Sequence, residues 1–167
     1  RNNKKIIALA NRLCCPIFAD TTSQLRYSRK HKRILSLYNH YIDKLPSKPD
    51  YIIRFGRKPI SKKLNDYLKQ FKNKTILFSN HGGYNDDIKA TIVQDINNIT
   101  IPKGYTNTWF EKIYKLEKLA SSQILSRLDN DYFEGSIIYN CIKNLKNKDN
   151  LFIGNSLSIR MLEQYTK

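Results

Sequence analysis

The chain has 167 residues, 40% of them hydrophobic and 11% aromatic, which is enough for one domain with a real core and marginal for two. No apolar run approaches the ~20 residues of a membrane span, and nothing reads as a signal peptide. The formal charge of +16 invites a nucleic-acid reading, but the lysines are spread along the whole chain, and the one dense basic run, 26–33, is short. Lys, Asn, Ile and Tyr are abundant together, as an A+T-rich coding sequence produces without selection for binding, so no nucleic-acid partner is expected.

Apolar residues at Ile6, Ile7, Ala10 and Leu13 predict a helix over 2–13. A compact apolar strand follows over 15–19, ended by Asp20-Thr21-Thr22-Ser23, all turn or cap formers. The stripe Ile34, Leu35, Leu37, Tyr38, Tyr41, Ile42 and Leu45 predicts an amphipathic helix over 32–45. Pro46 and Pro49 then punctuate the chain before a buried strand over 50–55, closed by Gly56. A basic amphipathic helix over 60–71 turns Leu64, Tyr67, Leu68 and Phe71 inward, and Ser61 is placed to cap it. Strands over 75–78 and 90–96 flank a polar loop holding Gly82 and Gly83. After Pro102 and Gly104 come a long helix over 109–128, a second over 132–145 and a last strand over 151–153.

Alternating helices and short apolar strands predict an α/β fold, a doubly wound and mostly parallel sheet with helices on both faces, formed by 1–167 as a single domain. Neither Gly-x-Gly-x-x-Gly nor Gly-x-x-x-x-Gly-Lys-Ser/Thr is present, so the expected fold is Rossmann-like without the usual nucleotide fingerprints. Cys14, Cys15 and Cys141 give neither a disulfide framework nor a zinc-ligand spacing; the first two read as small buried hydrophobes in a reducing compartment. His31, His40 and His81 show no metal-type spacing. The chain opens on Arg1 and its only Met is Met161, which suggests a piece of a longer polypeptide or a processed terminus.

The segment Leu151-Phe152-Ile153-Gly154-Asn155-Ser156-Leu157-Ser158-Ile159-Arg160 carries the most chemistry. It reads as a buried strand running into a helix N-terminus, with Asn155 or Ser156 as the cap. Arg160 lies one turn beyond Ser156, so hydroxyl and guanidinium project from the same side. A hydroxyl, free backbone N–H groups and an arginine at a strand's carboxyl end make a site for a carboxylate or phosphate. Lys62 and Lys63, at the start of the helix behind Ser61, form a second basic spot, either at the site or as solvated surface.

Four blocks carry a family resemblance: Pro16-Ile17-Phe18-Ala19-Asp20 with Ser23-Gln24-Leu25-Arg26; Lys48 to Gly56 with Pro59-Ile60-Ser61-Lys62-Lys63-Leu64; Phe133-Glu134-Gly135; and Leu151 to Arg160. In that order they resemble the central domain of the 2-succinyl-5-enolpyruvyl-6-hydroxy-3-cyclohexene-1-carboxylate synthases, three-domain thiamin diphosphate enzymes. Ser158 stands where the family usually has Pro, and Met161 where it often has Asp. The resemblance implies a cytoplasmic or plastid-stromal parent, a dimer or tetramer, that uses thiamin diphosphate with Mg2+ (or Mn2+). Such a parent decarboxylates 2-oxoglutarate and adds the succinyl unit to isochorismate, for menaquinone or phylloquinone. It further implies that Asn155, Ser156, Arg160, Lys62 and Lys63 serve substrate carboxylates, that Arg57 occupies a feedback position for an acidic aromatic product, and that no catalytic, cofactor-binding or metal-binding residue lies in this domain. A standalone α/β domain binding a nucleotide or flavin at the same strand ends is the alternative.

Overall fold

The computed structural model describes residues 3–28, 31–78, 91–93, 105–146 and 148–167. The predicted Gly82–Gly83 loop and most of the strand expected over 90–96 lie outside them. The first unit comprises α1 (Asn3–Arg12), β1 (Ile17–Phe18), α2 (Gln24–Ser28) and β2 (Ile34–Leu35). β1 and β2 pair in parallel, Ile17 opposite Ile34 and Phe18 opposite Leu35. β3 (Ile52–Phe55), α3 (Lys62–Gln70), β4 (Thr75–Phe78) and β5 (Thr91–Val93) follow, then α4 (Thr108–Asn130), α5 (Glu134–Asn144) and α6 (Leu157–Tyr165). β3, β4 and β5 form a second parallel sheet in that order. The α/β class and the parallel pairing are therefore present. A single doubly wound sheet is not what the described strands form: they fall into two small sheets.

Two predicted elements change identity. Residues 32–45 are not a helix but β2 followed by two 3-10 turns, Tyr38–His40 and Ile42–Lys44. The apolar pattern was correctly inward, since Leu35, Leu37, Tyr38, Tyr41 and Ile42 are all buried. The segment crosses the core, however, and its backbone is claimed by tertiary partners. The Ile17 and Ala19 N–H groups donate to the carbonyls of Arg33 and Leu35, and the N–H groups of Ser36 and Leu37 donate to the buried Glu117 carboxylate at 3.0 and 3.2 Å. The second change is at 151–153, which forms no regular element and pairs with no strand among the described residues, with Leu151 43% and Phe152 96% exposed. A hydrophobic run this short looks the same to sequence whether it is a sheet's core or an exposed surface.

The long helix is close to expectation, and its inner face (Ile113, Ala120, Ile124, Leu128) packs with Leu64 and Leu68 of α3 and with the turn residues 35–42, while the buried Phe110 stacks on Tyr114 and lies under the Arg33 guanidinium. Leu119, by contrast, is 59% exposed. Cys14 and Cys15 are half-buried rather than core residues, and burial pushes the Cys15 thiol up to about 11.

Gly135 opens a tight helix junction. A Cβ there would lie 2.3 Å from Phe133 Cε2 and 2.7 Å from Tyr165 Cδ2. Those two rings already meet edge to face at 5.1 Å, and Arg127 covers the Phe133 ring at 4.4 Å. Gly135→Ala is therefore expected to cost about 1–3 kcal/mol through overpacking, despite the better helix propensity of Ala. Urea denaturation of the domain checks this, and an unchanged midpoint would reject the close approach.

Candidate functional site

Ser61 begins α3 as predicted: its hydroxyl accepts the Leu64 N–H at 3.0 Å and donates to Asn39 Oδ1. Asn65 ties back to the carbonyls of Pro59 and Ser61, both at 2.7 Å, which fixes the entry to the helix. Lys62 and Lys63 follow, both exposed. They diverge, as successive first-turn residues about 100° apart must. Lys63 Nζ sits 3.3 Å from Asp43 in an exposed ion pair, while Lys62 makes no salt bridge among the described residues. Arg57 is exposed just after Gly56, whose φ of +82° is the left-handed turn that closes β3.

The 155–160 segment forms the start of α6. Ser156 is the N-cap, but its hydroxyl does not cap; it has φ +83°, and Asn155 Oδ1 accepts the Ser156 N–H at 2.8 Å. The expected side-chain cap is thus replaced by a left-handed residue held by its neighbour. The first-turn N–H groups of α6 consequently have no side-chain cap. Arg160 does return to Ser156, its Nε donating to the backbone carbonyl at 3.0 Å and its Nη2 to the hydroxyl at 3.4 Å. Among the described residues, these two hydrogen bonds use two of the five guanidinium N–H donors.

Ile60, Ile153, Gly154, Asn155, Ser156, Ile159 and Arg160 line an open cleft of about 440 Å³. It brings together Asn155, Ser156 and Arg160 and sets them against the residue that precedes Ser61 and Lys62. Arg57, Lys62 and Lys63 are not among its lining residues. The cleft is built from an exposed turn and not from the end of a buried strand.

What sequence reading missed is the buried polar apparatus behind this cleft. Glu163, on α6, is almost fully buried; its Oε2 accepts the Thr21 N–H at 2.6 Å and Arg26 Nη1 at 2.9 Å, and its Oε1 accepts the Tyr38 hydroxyl. Burial pushes the Glu163 carboxyl up to about 7, with the Arg26 guanidinium opposing that rise, and burial likewise raises the Tyr38 hydroxyl. Burial lowers His40, whose Nε2 lies 2.9 Å from the Gln164 carbonyl oxygen near the end of α6. Asp20 Oδ2 accepts the Ile60 N–H at 2.8 Å. A charged residue late in an amphipathic helix was the only signal for Glu163, and it could not announce burial.

Among the described residues, no group of His, Cys, Asp or Glu side chains gathers to hold a metal ion, and no helix is long and apolar enough to cross a membrane. Fold and site together define a parallel α/β domain with an arginine-bearing cleft at a helix N-terminus. A family model described as "Middle domain of thiamine pyrophosphate" matches residues 1–153, and the chain belongs to that family. Relatives in Staphylococcus epidermidis (31% identical, over 87% of this chain and 28% of the relative), Staphylococcus aureus (32%; 87% and 28%) and Listeria monocytogenes (29%; 96% and 31%) are each named 2-succinyl-5-enolpyruvyl-6-hydroxy-3-cyclohexene-1-carboxylate synthase. The chain thus spans less than a third of the length of the curated relatives it matches.

Proposed function

We propose that this chain is the central domain of a thiamin diphosphate-dependent 2-succinyl-5-enolpyruvyl-6-hydroxy-3-cyclohexene-1-carboxylate synthase of menaquinone or phylloquinone biosynthesis. In this reading the parent, a homo-oligomer of the cytoplasm or plastid stroma, decarboxylates 2-oxoglutarate and adds the succinyl unit to isochorismate. Thiamin diphosphate and its Mg2+ or Mn2+ are assigned to other parts of the parent. The doubly wound sheet belongs to the same reading: every strand pair described is parallel, and β3 reaches β4 through α3, the crossover from which such sheets are built.

The observation that carries the proposal is the cleft, where the Ser156 hydroxyl and the Arg160 guanidinium converge at the uncapped start of α6. Both substrates carry two carboxylates. A guanidinium fork holds one by paired charge-assisted bonds, and a helix N-terminus adds N–H donors and a favourable dipole. Asn155 orients the turn, and Lys62, without the Asp43 pairing that occupies Lys63, supplies a point charge from α3. These groups bind and orient substrate; proton and bond chemistry belong to the rest of the parent. Arg57 is carried as a regulatory contact for an acidic aromatic product.

The test is an assay of the full-length parent beside the isolated domain, with isochorismate, 2-oxoglutarate, thiamin diphosphate and magnesium. Turnover is expected from the parent, and none from a domain that melts cooperatively by circular dichroism. Turnover by the isolated domain, or a parent inactive on these substrates, would overturn the reading.

A further inference from the structure

The first family-like block of the chain, 16–26, lies more than a hundred residues from the cleft's helix in sequence and beside it in space. Arg26 is the centre of this juxtaposition. Its side chain is fully buried. Nη1 donates to Glu163 Oε2 at 2.9 Å and to the Ala19 carbonyl at 3.3 Å, while Nη2 donates to the carbonyls of Glu163 at 2.8 Å, Thr166 at 2.5 Å and Leu162 at 3.4 Å. One guanidinium thus caps the carboxyl end of α6 and neutralises the buried acid within it. Tyr38 and the Thr21 N–H complete the hold on the Glu163 carboxylate. Six residues before Arg26, Asp20 holds the opposite wall of the cleft through the Ile60 N–H. Both walls are therefore referenced to a single short segment, and neither Arg26 nor Glu163 lines the cleft.

We propose that Arg26 and Glu163 are positioning residues for the dicarboxylate site: their buried contact fixes α6, and so sets where Ser156 and Arg160 meet a substrate carboxylate against the Ile60 wall held by Asp20. The inference rests on the proposed function for its substrate, but not for its mechanics. A nine-residue helix is too short to hold its place by itself. Its amino end is exposed, so its register depends on its buried carboxyl half. A small displacement of a carboxylate-binding arginine is enough to lose much of its transition-state contact.

The test uses the full-length protein at a single fixed pH. Arg26→Met removes every fork contact at similar length. It is expected to raise KM for a dicarboxylate substrate about tenfold, and to have no further effect in an Arg160→Ala background, the non-additivity of residues acting as one unit. Hydrogen exchange across 157–165 should quicken about tenfold while α3 is unchanged. Tyr38→Phe, which deletes one hydroxyl and should fold, is expected to move both readouts in the same direction about two- to threefold, and decides the matter if Arg26→Met does not fold. Additive kinetics, or unaltered exchange in α6, would overturn the clamp. A wild-type parent without synthase activity would instead overturn the proposed function, leaving the clamp to be judged on exchange alone.

Discussion

On the proposed function, Arg160→Ala in the full-length parent is expected to lower kcat/KM by about ten- to hundredfold, since a charge-assisted bond to a carboxylate is worth roughly 1.5–3 kcal/mol. Its effect on folding should be small. Arg160 is exposed, and its only described hydrogen bonds run to Ser156, four residues back in the same chain segment. A solvated side chain of this kind changes stability by within ~0.5 kcal/mol. That separation makes the experiment decisive, because steady-state kinetics and a thermal melt on one variant preparation report the two effects independently. Kinetics like the wild type would remove Arg160 from the substrate site, and a large loss of melting temperature would make it a structural residue.

Glu117→Ala should do the reverse. The carboxylate is buried in the middle of α4 and accepts from the Ser36 N–H at 3.0 Å, the Leu37 N–H at 3.2 Å and the Tyr41 hydroxyl at 2.7 Å. Ala leaves two buried backbone donors and a phenol without that acceptor, and each stranded group costs about 1–3 kcal/mol. The expected loss of about 3–5 kcal/mol is a large part of the 5–15 kcal/mol that typically holds a domain together. Glu117→Gln, which keeps one acceptor oxygen, should lose less than half as much. Urea denaturation of the two variants checks the order. Equal losses would mean that the one oxygen Gln retains does not hold these bonds, and a Gln variant as stable as the wild type would mean that Glu117 serves by filling space and not by accepting them. Burial raises the Tyr41 hydroxyl, with the Glu117 charge adding to it, so the phenol stays a donor to that carboxylate.

Local signals in the chain were sufficient for α1, α3, α4, α5 and β4, each within a few residues of expectation, because period and punctuation agree there. Ser61 starts α3 at the predicted cap, and Thr75–Phe78 is bounded as the apolar run is. The pairing of Ser156 with Arg160 was likewise legible, since four residues on a helix make one turn and any fold preserves it. The four blocks of family-like residues pointed to the middle-domain family that the comparisons then showed.

Long-range partners decided the rest. Residues 32–45 carry a helix's apolar stripe, yet the Glu117 carboxylate 80 residues away from Leu37 and the pairing with β1 take the backbone bonds a helix would need. The run 151–153 has a buried strand's composition, but it finds no strand to pair with among the described residues and lies exposed. Arg26 read as one more cation in a basic stretch; only the fold places Glu163, two carbonyls of α6 and that of its C-cap Thr166 around it. Sequence determines which faces are apolar and which neighbours lie one turn apart, because those follow from covalent spacing. Which buried polar group meets which is set by contacts between segments far apart in the chain, and that only the tertiary structure decided.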